Sequence, residues 1–255
     1  MGKFVWHDLM TSDVDVAKAF YGQVAGWTGA HDGPDMGDYQ MFVGPRGPLG
    51  GLMVMAQEAA ARGAPNHWMA YSQVADLTGA VGQVRQLSGA VFKEIPVPGV
   101  GRFAICQDPQ GGHFALFQSD RDPGQDKGEP VAGEFSWAEL ATSDVAGAWE
   151  FYSAVLGWEV AQDVDMGPMG TYRIFKTADM EGQRGLGGIF ERPPGVPVVA
   201  WLHYITVADL EAAIATAVGQ GGELVRGPMD VPGGDRVAQL RDNQGAAFAL
   251  HSRSG

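Results

Sequence analysis

The stretch WHDLMTSDVDVAKAFYGQVAGW at residues 6–27 recurs as WAELATSDVAGAWEFYSAVLGW at residues 137–158. Aligned without gaps, the two stretches are identical at 12 of 22 positions. Each stretch is predicted to begin as a strand and to continue as a helix, because apolar residues follow at helical spacing. A glycine marks the end of each predicted helix. Ser12 is the predicted N-cap of the first helix, with Asp15 three residues further on. The sequence therefore predicts one strand–helix unit that the chain uses twice.

Two further pairs of segments repeat at nearly the same offset. WMAYSQVADL at 68–77 corresponds to WLHYITVADL at 201–210. VPGVGRFAICQDPQGGHFALF at 97–117 matches VPGGDRVAQLRDNQGAAFALH at 231–251 at 11 of 21 positions. The chain thus contains two copies of a unit of roughly 120 residues. The predicted domains are residues 1–118 and 134–255, joined by a charged linker with Pro and Gly at 119–133.

Each copy divides again into two similar halves. Every half contains a strand, a helix and then short strands between turns rich in glycine and proline. Because strands dominate and the helices are few and separated, the fold class is α+β with mixed sheets, and a doubly wound parallel sheet is not expected. The whole chain is predicted to consist of four βαβββ modules.

Composition and charge limit the possible functions. The chain has 255 residues, of which 45% are hydrophobic and 18% charged, as is typical of a globular protein. Its formal charge of −13 argues against a nucleic acid or an anionic membrane as partner. A single cysteine, Cys106, excludes an intrachain disulfide and a cysteine-cluster metal site. Since no stretch reads as a signal peptide or a membrane span, the predicted location is the cytoplasm.

Four motifs carry a resemblance to a known family: W-x-[DE]-L-x-T-S-D, F-Y-x-x-[VL]-x-G-W, V-A-D-L and D-x-Q-G-x-x-F-A-L. Together they resemble the vicinal oxygen chelate superfamily, which includes glyoxalase I, bleomycin-resistance proteins and extradiol dioxygenases. The similarity extends over almost the whole chain and is greatest to a two-domain glyoxalase-like subgroup labelled hydroxylase or antigen. It implies two fused glyoxalase-like domains whose curved mixed sheets form cups for a small molecule. It also implies a monomer that completes its own dimer-like assembly.

The resemblance also shows where a metal would be held. In metal-dependent members a ligand comes from the first strand of a module, and another, usually Glu, from the last strand. Histidines His7 and His203 each lie one residue beyond a first-strand position, so we expect them on the opposite face. No metal ligand and no cofactor are therefore predicted, because none of the residues at the family positions binds a hard divalent cation: Trp6, Met69, Trp137, Leu202, Ala115 and Ala249.

Strand alternation places an acid beside a tryptophan in each copy. Trp6 and Asp8 share one strand face, and Trp137 and Glu139 share the equivalent face. A carboxylate between aromatic walls is a candidate general base, so Asp8 and Glu139 are the predicted catalytic residues. The resemblance implies that these faces line the cups, together with further predicted ligand-binding residues: Tyr71, Gln73 and Arg102 in the first copy, and Tyr204, Thr206 and Arg236 in the second.

The role of the acids stays open at this point. They could bind a cationic ligand, or pair with Arg102 or Arg236 and stabilise the sheet. The loops at 35–39 and 165–172 are expected at the cup rim, where they would influence ligand choice.

Three functions therefore compete. The first is a metal-independent lyase or isomerase that acts on a small oxygenated substrate. The second is a binding or sequestering protein for a cationic or antibiotic-like compound. The third is a metal-dependent lyase or dioxygenase with unusual ligands, taken from His7, Asp8, Glu139 and His203.

Overall fold

The computed structural model describes residues 1–31, 39–121, 128–180 and 185–254. Residues 122–127 of the predicted linker and 32–38, which include most of the first predicted rim loop, lie outside this range. The first copy contains β1 (Phe4–Thr11), α1 (Val14–Ala25), β2 (Thr28–His31), β3 (Gln40–Gly44), β4 (Gly47–Val54), α2 (Gln57–Ala61), β5 (His67–Gln73), α3 (Leu77–Gln86), β6 (Ala90–Val97), β7 (Gly101–Gln107) and β8 (His113–Ser119).

The second copy repeats this series of elements. It contains β9 (Phe135–Thr142), α4 (Val145–Leu156), β10 (Trp158–Asp165), β11 (Thr171–Thr177), β12 (Gly187–Glu191), β13 (Ala200–Thr206), α5 (Leu210–Gly219), β14 (Glu223–Asp230), β15 (Arg236–Arg241) and β16 (Ala247–Ser252). A 3-10 helix at Gly167–Met169 lies within the second predicted rim loop. The four predicted βαβββ modules are confirmed, and the five-residue helix α2 is the one helix in the described part of the first copy that the sequence did not predict.

Each copy forms one mixed eight-stranded sheet, and the two sheets have the same strand order. The orders are β2-β3-β4-β1-β5-β8-β7-β6 and β10-β11-β12-β9-β13-β16-β15-β14. The first and last strands of each module pair in parallel, as β1 does with β4, whereas hairpin neighbours pair antiparallel. The sheets are curved and open, as expected for the α+β class.

Four aspartates begin the four long helices. Asp13, Asp76, Asp144 and Asp209 each accept a hydrogen bond from a backbone N–H in the first turn. The prediction that Ser12 caps α1 is wrong: Asp13 accepts from the N–H of Val16 at 3.1 Å. A carboxylate at this position also interacts favourably with the positive end of the helix dipole.

The chain folds into two compact units that do not coincide with the two copies of the repeat. The first compact unit contains Met1–Val5, Ala70–Asp126 and Trp137–Trp201, and the second contains Trp6–Met69, Lys127–Ser136 and Leu202–Gly255. Each unit therefore combines one module from each copy, with α3 against α4 in the first unit and α1 against α5 in the second. The sheets follow the copies, whereas the compact units do not. The domain boundaries at 1–118 and 134–255 stay a prediction.

A buried tyrosine forms the centre of the second unit. Tyr21 on α1 donates its hydroxyl proton to Asp242 at 3.1 Å and accepts a hydrogen bond from the indole of Trp68 at 3.0 Å. The other Asp242 oxygen accepts from the backbone N–H groups of Gln244 and Ala246. The F-Y and D-x-Q-G motifs therefore meet in the core, where each polar group is satisfied.

The first unit has the same arrangement. Tyr152 on α4 donates to Asp108 at 2.8 Å and accepts from the indole of Trp201 at 3.1 Å. Asp108 accepts in turn from the backbone N–H groups of Gln110 and Gly112. Because both tyrosines are buried, these hydrogen bonds satisfy polar groups of the core and stabilise the fold. No helix in the described residues is long and apolar enough to cross a membrane.

Candidate functional site

The acid of the first copy lies in a three-residue hydrogen-bond network. Asp8 on β1 is only 4% exposed. Its Oδ1 accepts from the indole N–H of Trp6 at 2.8 Å and from the hydroxyl of Tyr39 at 2.8 Å. The same indole N–H lies 2.8 Å from the Tyr39 hydroxyl oxygen. Two donors on one carboxylate oxygen hold the side chain in one orientation.

The second copy repeats the network with a longer acid. The indole N–H of Trp137 donates to the hydroxyl of Tyr172 at 2.8 Å, and that hydroxyl donates to Glu139 Oε1 at 2.7 Å. Glu139 is half-buried, whereas Asp8 is buried. A Trp–Tyr–carboxylate network is therefore present at equivalent positions of both copies.

A glycine in the neighbouring strand makes room for each tyrosine. Asp8 pairs with Gly51 of β4, and Glu139 pairs with Gly188 of β12. A Cβ on Gly51 would collide with the hydroxyl of Tyr39 and the carboxylate of Asp8. A Cβ on Gly188 would collide with the ring of Tyr172. The tyrosine can lie directly against the sheet only because these two positions have no side chain.

Sequence reasoning missed Tyr39 and Tyr172, although a signal existed. Both follow a glycine-containing loop and precede their partner glycines, Tyr39 by 12 residues and Tyr172 by 16. Those glycines belong to LGGLM at 49–53 and LGGIF at 186–190, which occupy equivalent strands. A glycine at the same strand position in both copies indicates that another group occupies the space that a side chain would fill.

Strand register shows which residues surround each acid. On the first acid face, Met10 and Met53 pair with each other and Met41 pairs with Gly51. Paired residues lie on the same side of a sheet, and alternate residues of a strand return to that side. The first acid face thus consists of Trp6, Asp8, Met10, Tyr39, Met41 and Met53. The second acid face consists of Trp137, Glu139, Ala141, Tyr172, Ile174 and Phe190.

His7 and His203 lie in the interior of the second unit. His7 stacks on Phe135 with ring centroids 3.7 Å apart and an interplanar angle of 15°. His203 meets His7 edge-on, with centroids 5.0 Å apart. Burial lowers the pKa of His203 to about 3. Burial lowers the pKa of His7 well below its usual value, and the electrostatic interaction with His203 lowers it further. Alternation places His7 on the opposite side of β1 from Asp8, as predicted, and both imidazoles are neutral near pH 7.

The remaining predicted residues of the first copy lie in the first unit. Tyr71 is buried and meets Phe103 edge-on, with ring centroids 5.3 Å apart. Gln73 is half-buried, and its backbone N–H donates to the carbonyl of Lys3 at 2.9 Å. The guanidinium of Arg102 donates to Gln118 Oε1 at 2.9 and 3.2 Å.

Those of the second copy lie in the second unit. Tyr204 is buried, and its hydroxyl accepts a long hydrogen bond of 3.4 Å from Gln239. The N–H of buried Thr206 donates to a backbone carbonyl at 2.8 Å. Arg236 forms surface ion pairs with Glu211 at 2.5 Å and Asp230 at 3.2 Å. That these residues line a cup together with Asp8 or Glu139 stays a prediction.

The donors around Asp8 do not fit the divalent metal that the fold family implies. The contacts from Trp6 and Tyr39 bring an N–H and an O–H to the carboxylate, whereas a metal site needs several converging acceptors. Residues 1–31, 39–121, 128–180 and 185–254 contain no group of three or more His, Cys, Asp or Glu that could hold a metal. Ala115 and Ala249, where family members carry Glu, are fully buried.

Comparisons with known proteins agree with this fold. Residues 134–250 match the Glyoxalase/Bleomycin resistance protein/Dioxygenase superfamily. The chain is 33% identical over 251 residues to the Mycobacterium tuberculosis (strain CDC 1551 / Oshkosh) protein named "Putative glyoxylase CFP32". The alignment covers 96% of this chain and 92% of that protein. The chain is 29% identical to "Anthracycline biosynthesis protein DauV" of Streptomyces sp. (strain C5), over 98% and 92% of the two chains.

Solved structures share the architecture at low sequence identity. The Mn(II)-bound glyoxalase from Novosphingobium aromaticivorans aligns with a TM-score of 0.66 at 14% identity, over 98% of this chain and 82% of that one. The 2,2',3-trihydroxybiphenyl 1,2-dioxygenase from Sphingomonas wittichii strain RW1 aligns with a TM-score of 0.68 at 12% identity, over 99% and 90%. The chain belongs to the glyoxalase/bleomycin resistance protein/dioxygenase superfamily. Within it, its similarity to CFP32 and DauV spans both copies of the repeat.

Proposed function

We propose that the protein binds a small oxygenated organic molecule on an acid face and catalyses a metal-independent proton transfer, as a lyase or isomerase. The observation that carries this proposal is the Trp–Tyr–carboxylate network, which is present in both copies. A carboxylate that is at least half-buried and held by fixed donors is typical of a small-molecule site with a few convergent polar groups.

Asp8 is the base in this proposal. Trp6 and Tyr39 hold its Oδ1 and orient the carboxylate, which removes a proton from a carbon next to a substrate carbonyl. In an isomerase acting on a hydroxycarbonyl compound, the proton returns to the former carbonyl carbon while the substrate's hydroxyl proton moves to the former carbonyl oxygen. In a lyase, the carbon–oxygen bond beside the deprotonated carbon breaks, a carbon–carbon double bond forms and the departing oxygen takes the proton. Neither reaction needs an oxidant or a reductant. Glu139 performs the same step if the second acid face is active.

The names of the relatives are compatible with such a substrate. One relative is named as a glyoxylase and another as a protein of anthracycline biosynthesis. Both names point to small oxygenated organic molecules, and neither decides the reaction of this chain.

A second candidate function is binding without turnover. The observation in its favour is charge: residues 134–255 contain 16 acidic and 8 basic residues, for a formal charge of −8. Residues 1–118 contain 10 acidic and 7 basic residues, for a charge of −3. An acidic surface attracts a cationic or antibiotic-like compound. The two candidates differ in whether the ligand is recovered unchanged.

Proton exchange separates the candidates. Small ketones and hydroxyketones, with dihydroxyacetone as the first probe, are incubated with the protein in D₂O, and loss of the carbon-bound proton is followed by NMR. We expect exchange that falls at least about 100-fold in Asp8→Asn, in line with the usual contribution of a general base. Asp15→Asn is the matched control, because Asp15 is an exposed acid on the surface of α1. Exchange that persists in the Asp8→Asn, Glu139→Gln double variant would remove both carboxylates from the mechanism.

Two properties expected from the sequence accompany this function as proposals. The chain acts as a monomer whose two copies replace the two subunits of a dimer, and it functions in the cytoplasm. Light scattering of the purified chain tests the first property, because a dimer would give twice the mass of one chain. Cell fractionation tests the second.

A further inference from the structure

A serine, a histidine and an aspartate of the second unit form a hydrogen-bonded chain that the proposed function does not use. Ser136 Oγ lies 2.9 Å from His251 Nδ1, and Nε2 of the same imidazole lies 2.9 Å from Asp235 Oδ2. All three residues belong to the second unit. Both distances lie in the range that joins a nucleophile to its base and a base to the group that orients it. The three side chains thus have the connectivity of a Ser–His–Asp catalytic triad.

The aspartate determines which imidazole nitrogen carries the proton. Burial raises the pKa of Asp235, but hydrogen bonds from the backbone N–H of Ser254 and from His251 outweigh burial and leave the pKa below its usual value. An ionised carboxylate only accepts hydrogen bonds, so Nε2 of His251 donates to Asp235. In the neutral imidazole Nδ1 then accepts the hydroxyl proton of Ser136. Serine proteases use the two nitrogens the other way round, with the same division of roles.

The first copy of the repeat has no polar side chain at the three equivalent positions. In the order serine, aspartate and histidine, its residues there are Val5, Gly101 and Phe117. The shared fold therefore forms without this cluster. Polar groups that the fold does not need, at three positions distant in the chain that meet in the structure, point to a function.

A buried threonine supplies a further donor beside the triad. β13 lies between β9, which carries Ser136, and β16, which carries His251. Thr206 on β13 is the Cα partner of His251, so the two side chains lie on the same side of the sheet. Thr206 is only 4% exposed, and its hydroxyl has no hydrogen-bond partner among the described residues. A buried hydroxyl without a partner is costly, so this position points to a ligand oxygen that accepts its proton.

We propose that Ser136, His251 and Asp235 form a second catalytic site, which hydrolyses carboxylic esters through an acyl group on Ser136. Ser136 Oγ bonds to the ester carbonyl carbon while His251 Nδ1 takes its proton, and the negative carbonyl oxygen accepts a hydrogen bond from Thr206. The carbon–oxygen bond to the alcohol breaks, and the alcohol oxygen takes the proton from His251. Water then attacks the acyl carbon and gives a proton to His251. The carboxylic acid leaves, and Ser136 Oγ regains the proton.

Esters are assigned as substrates because of the donors and the access at this site. Thr206 offers one hydroxyl to the developing oxyanion, whereas serine proteases offer two backbone N–H groups. An ester needs less assistance than an amide, because an alcohol leaves more readily than an amine. Ser136 is half-buried and the side chain of Asp235 is 31% exposed, so the cluster lies close to solvent. Alternation turns Ser136 away from the side of β9 that carries Glu139, so the nucleophile does not belong to the second acid face.

The first experiment follows hydrolysis of 4-nitrophenyl acetate by the full chain. Absorbance measures release of 4-nitrophenolate, and mass spectrometry of acid-quenched protein locates the acetyl group. We expect the acetyl group on Ser136, and hydrolysis at least about 100-fold slower in Ser136→Ala. The matched control is Ser12→Ala, which removes an exposed serine of the same unit and should behave like the wild type.

Three further substitutions test the other roles. His251→Phe introduces the residue that the first copy has at this position, so the fold tolerates it, and acetylation of Ser136 should be lost. Asp235→Asn keeps the shape of the side chain without its charge and should slow acetylation at least about 100-fold. Thr206→Val replaces the hydroxyl by a methyl group and should slow hydrolysis about 100-fold. The urea midpoint of Thr206→Val should not fall, because the removed hydroxyl has no partner among the described residues. Circular dichroism checks that each variant is folded.

Several outcomes would overturn the inference: a wild-type chain that does not hydrolyse the ester, hydrolysis without an acetyl group on Ser136, or unchanged hydrolysis in His251→Phe. A lower urea midpoint with unchanged hydrolysis in Thr206→Val would overturn the role of that hydroxyl. Ester hydrolysis through Ser136 and proton exchange through Asp8 are separate measurements on different side chains. Failure of this inference and failure of the proposed function are therefore distinguishable.

Discussion

Acid should destabilise the protein through its buried histidine pair. His203 is 1% exposed, and burial lowers its pKa to about 3, so that the folded chain keeps the imidazole neutral. In the unfolded chain the same group takes up a proton below about pH 6.5. The unfolded state therefore binds more protons as the pH falls. The stability contributed by the neutral imidazole is complete above about pH 6.5 and is lost progressively toward about pH 3.

The size of the effect follows from the two pKa values. pH 5 lies about 1.5 pH units below the pKa of the imidazole in the unfolded chain, so the unfolded imidazole is protonated. In the folded chain, where the pKa is about 3, the imidazole is still neutral at pH 5. At about 1.4 kcal/mol per unit, His203 alone removes about 2 kcal/mol between pH 7 and pH 5. His7 adds to this loss in the same direction, because its pKa is also lowered by burial. A typical domain is stable by only ~5–15 kcal/mol, so the change is large enough to measure.

Urea denaturation at pH 7 and pH 5 tests the prediction. His203→Ala is the decisive variant, because the equivalent position of the other copy is Ala70, which the fold already tolerates. The wild type should lose about 2 kcal/mol more than this variant between the two pH values. His113→Ala, which removes an exposed histidine, is the control and should behave like the wild type. Equal pH dependence in the wild type and His203→Ala would show that His203 accepts a proton in the folded state.

Three further predictions concern the core, the network and the metal. Tyr21→Phe removes the hydroxyl that binds Asp242 and should lower the free energy of unfolding by about 1–3 kcal/mol in urea titrations, because a buried carboxylate loses a donor; an unchanged midpoint would contradict this. Gly51→Ala should displace Tyr39 and weaken ligand binding in calorimetry while the chain stays folded, whereas Gly82→Ala, with no atom near the added Cβ, should bind like the wild type. Protein purified without added metal should contain no stoichiometric zinc, nickel, manganese or iron by elemental analysis; metal that is lost on substitution of His7 or Asp8 would refute this prediction.

Much of the architecture was predictable because the chain is a repeat. The 12 identities in 22 positions, the helical spacing after TSD and the terminal glycines are local signals, and they correctly predicted four βαβββ modules in mixed sheets. Alternation along β1 and β9 also correctly placed Trp6 with Asp8 and Trp137 with Glu139. These features depend on residues close together in the chain, or on similarity between the copies, and both can be read without a tertiary structure.

Tertiary structure alone decided how the acids are held and how the modules combine. The partner of Asp8 is Tyr39, 31 residues away, and that contact needs the register of β1 with β4 and the missing side chain of Gly51. The compact units take one module from each copy, because α1 packs with α5 and Tyr21 reaches Asp242. Such contacts depend on strand pairing and packing between distant segments. Periodicity specifies which face a residue occupies, whereas the group it meets there is determined only when the sheets form.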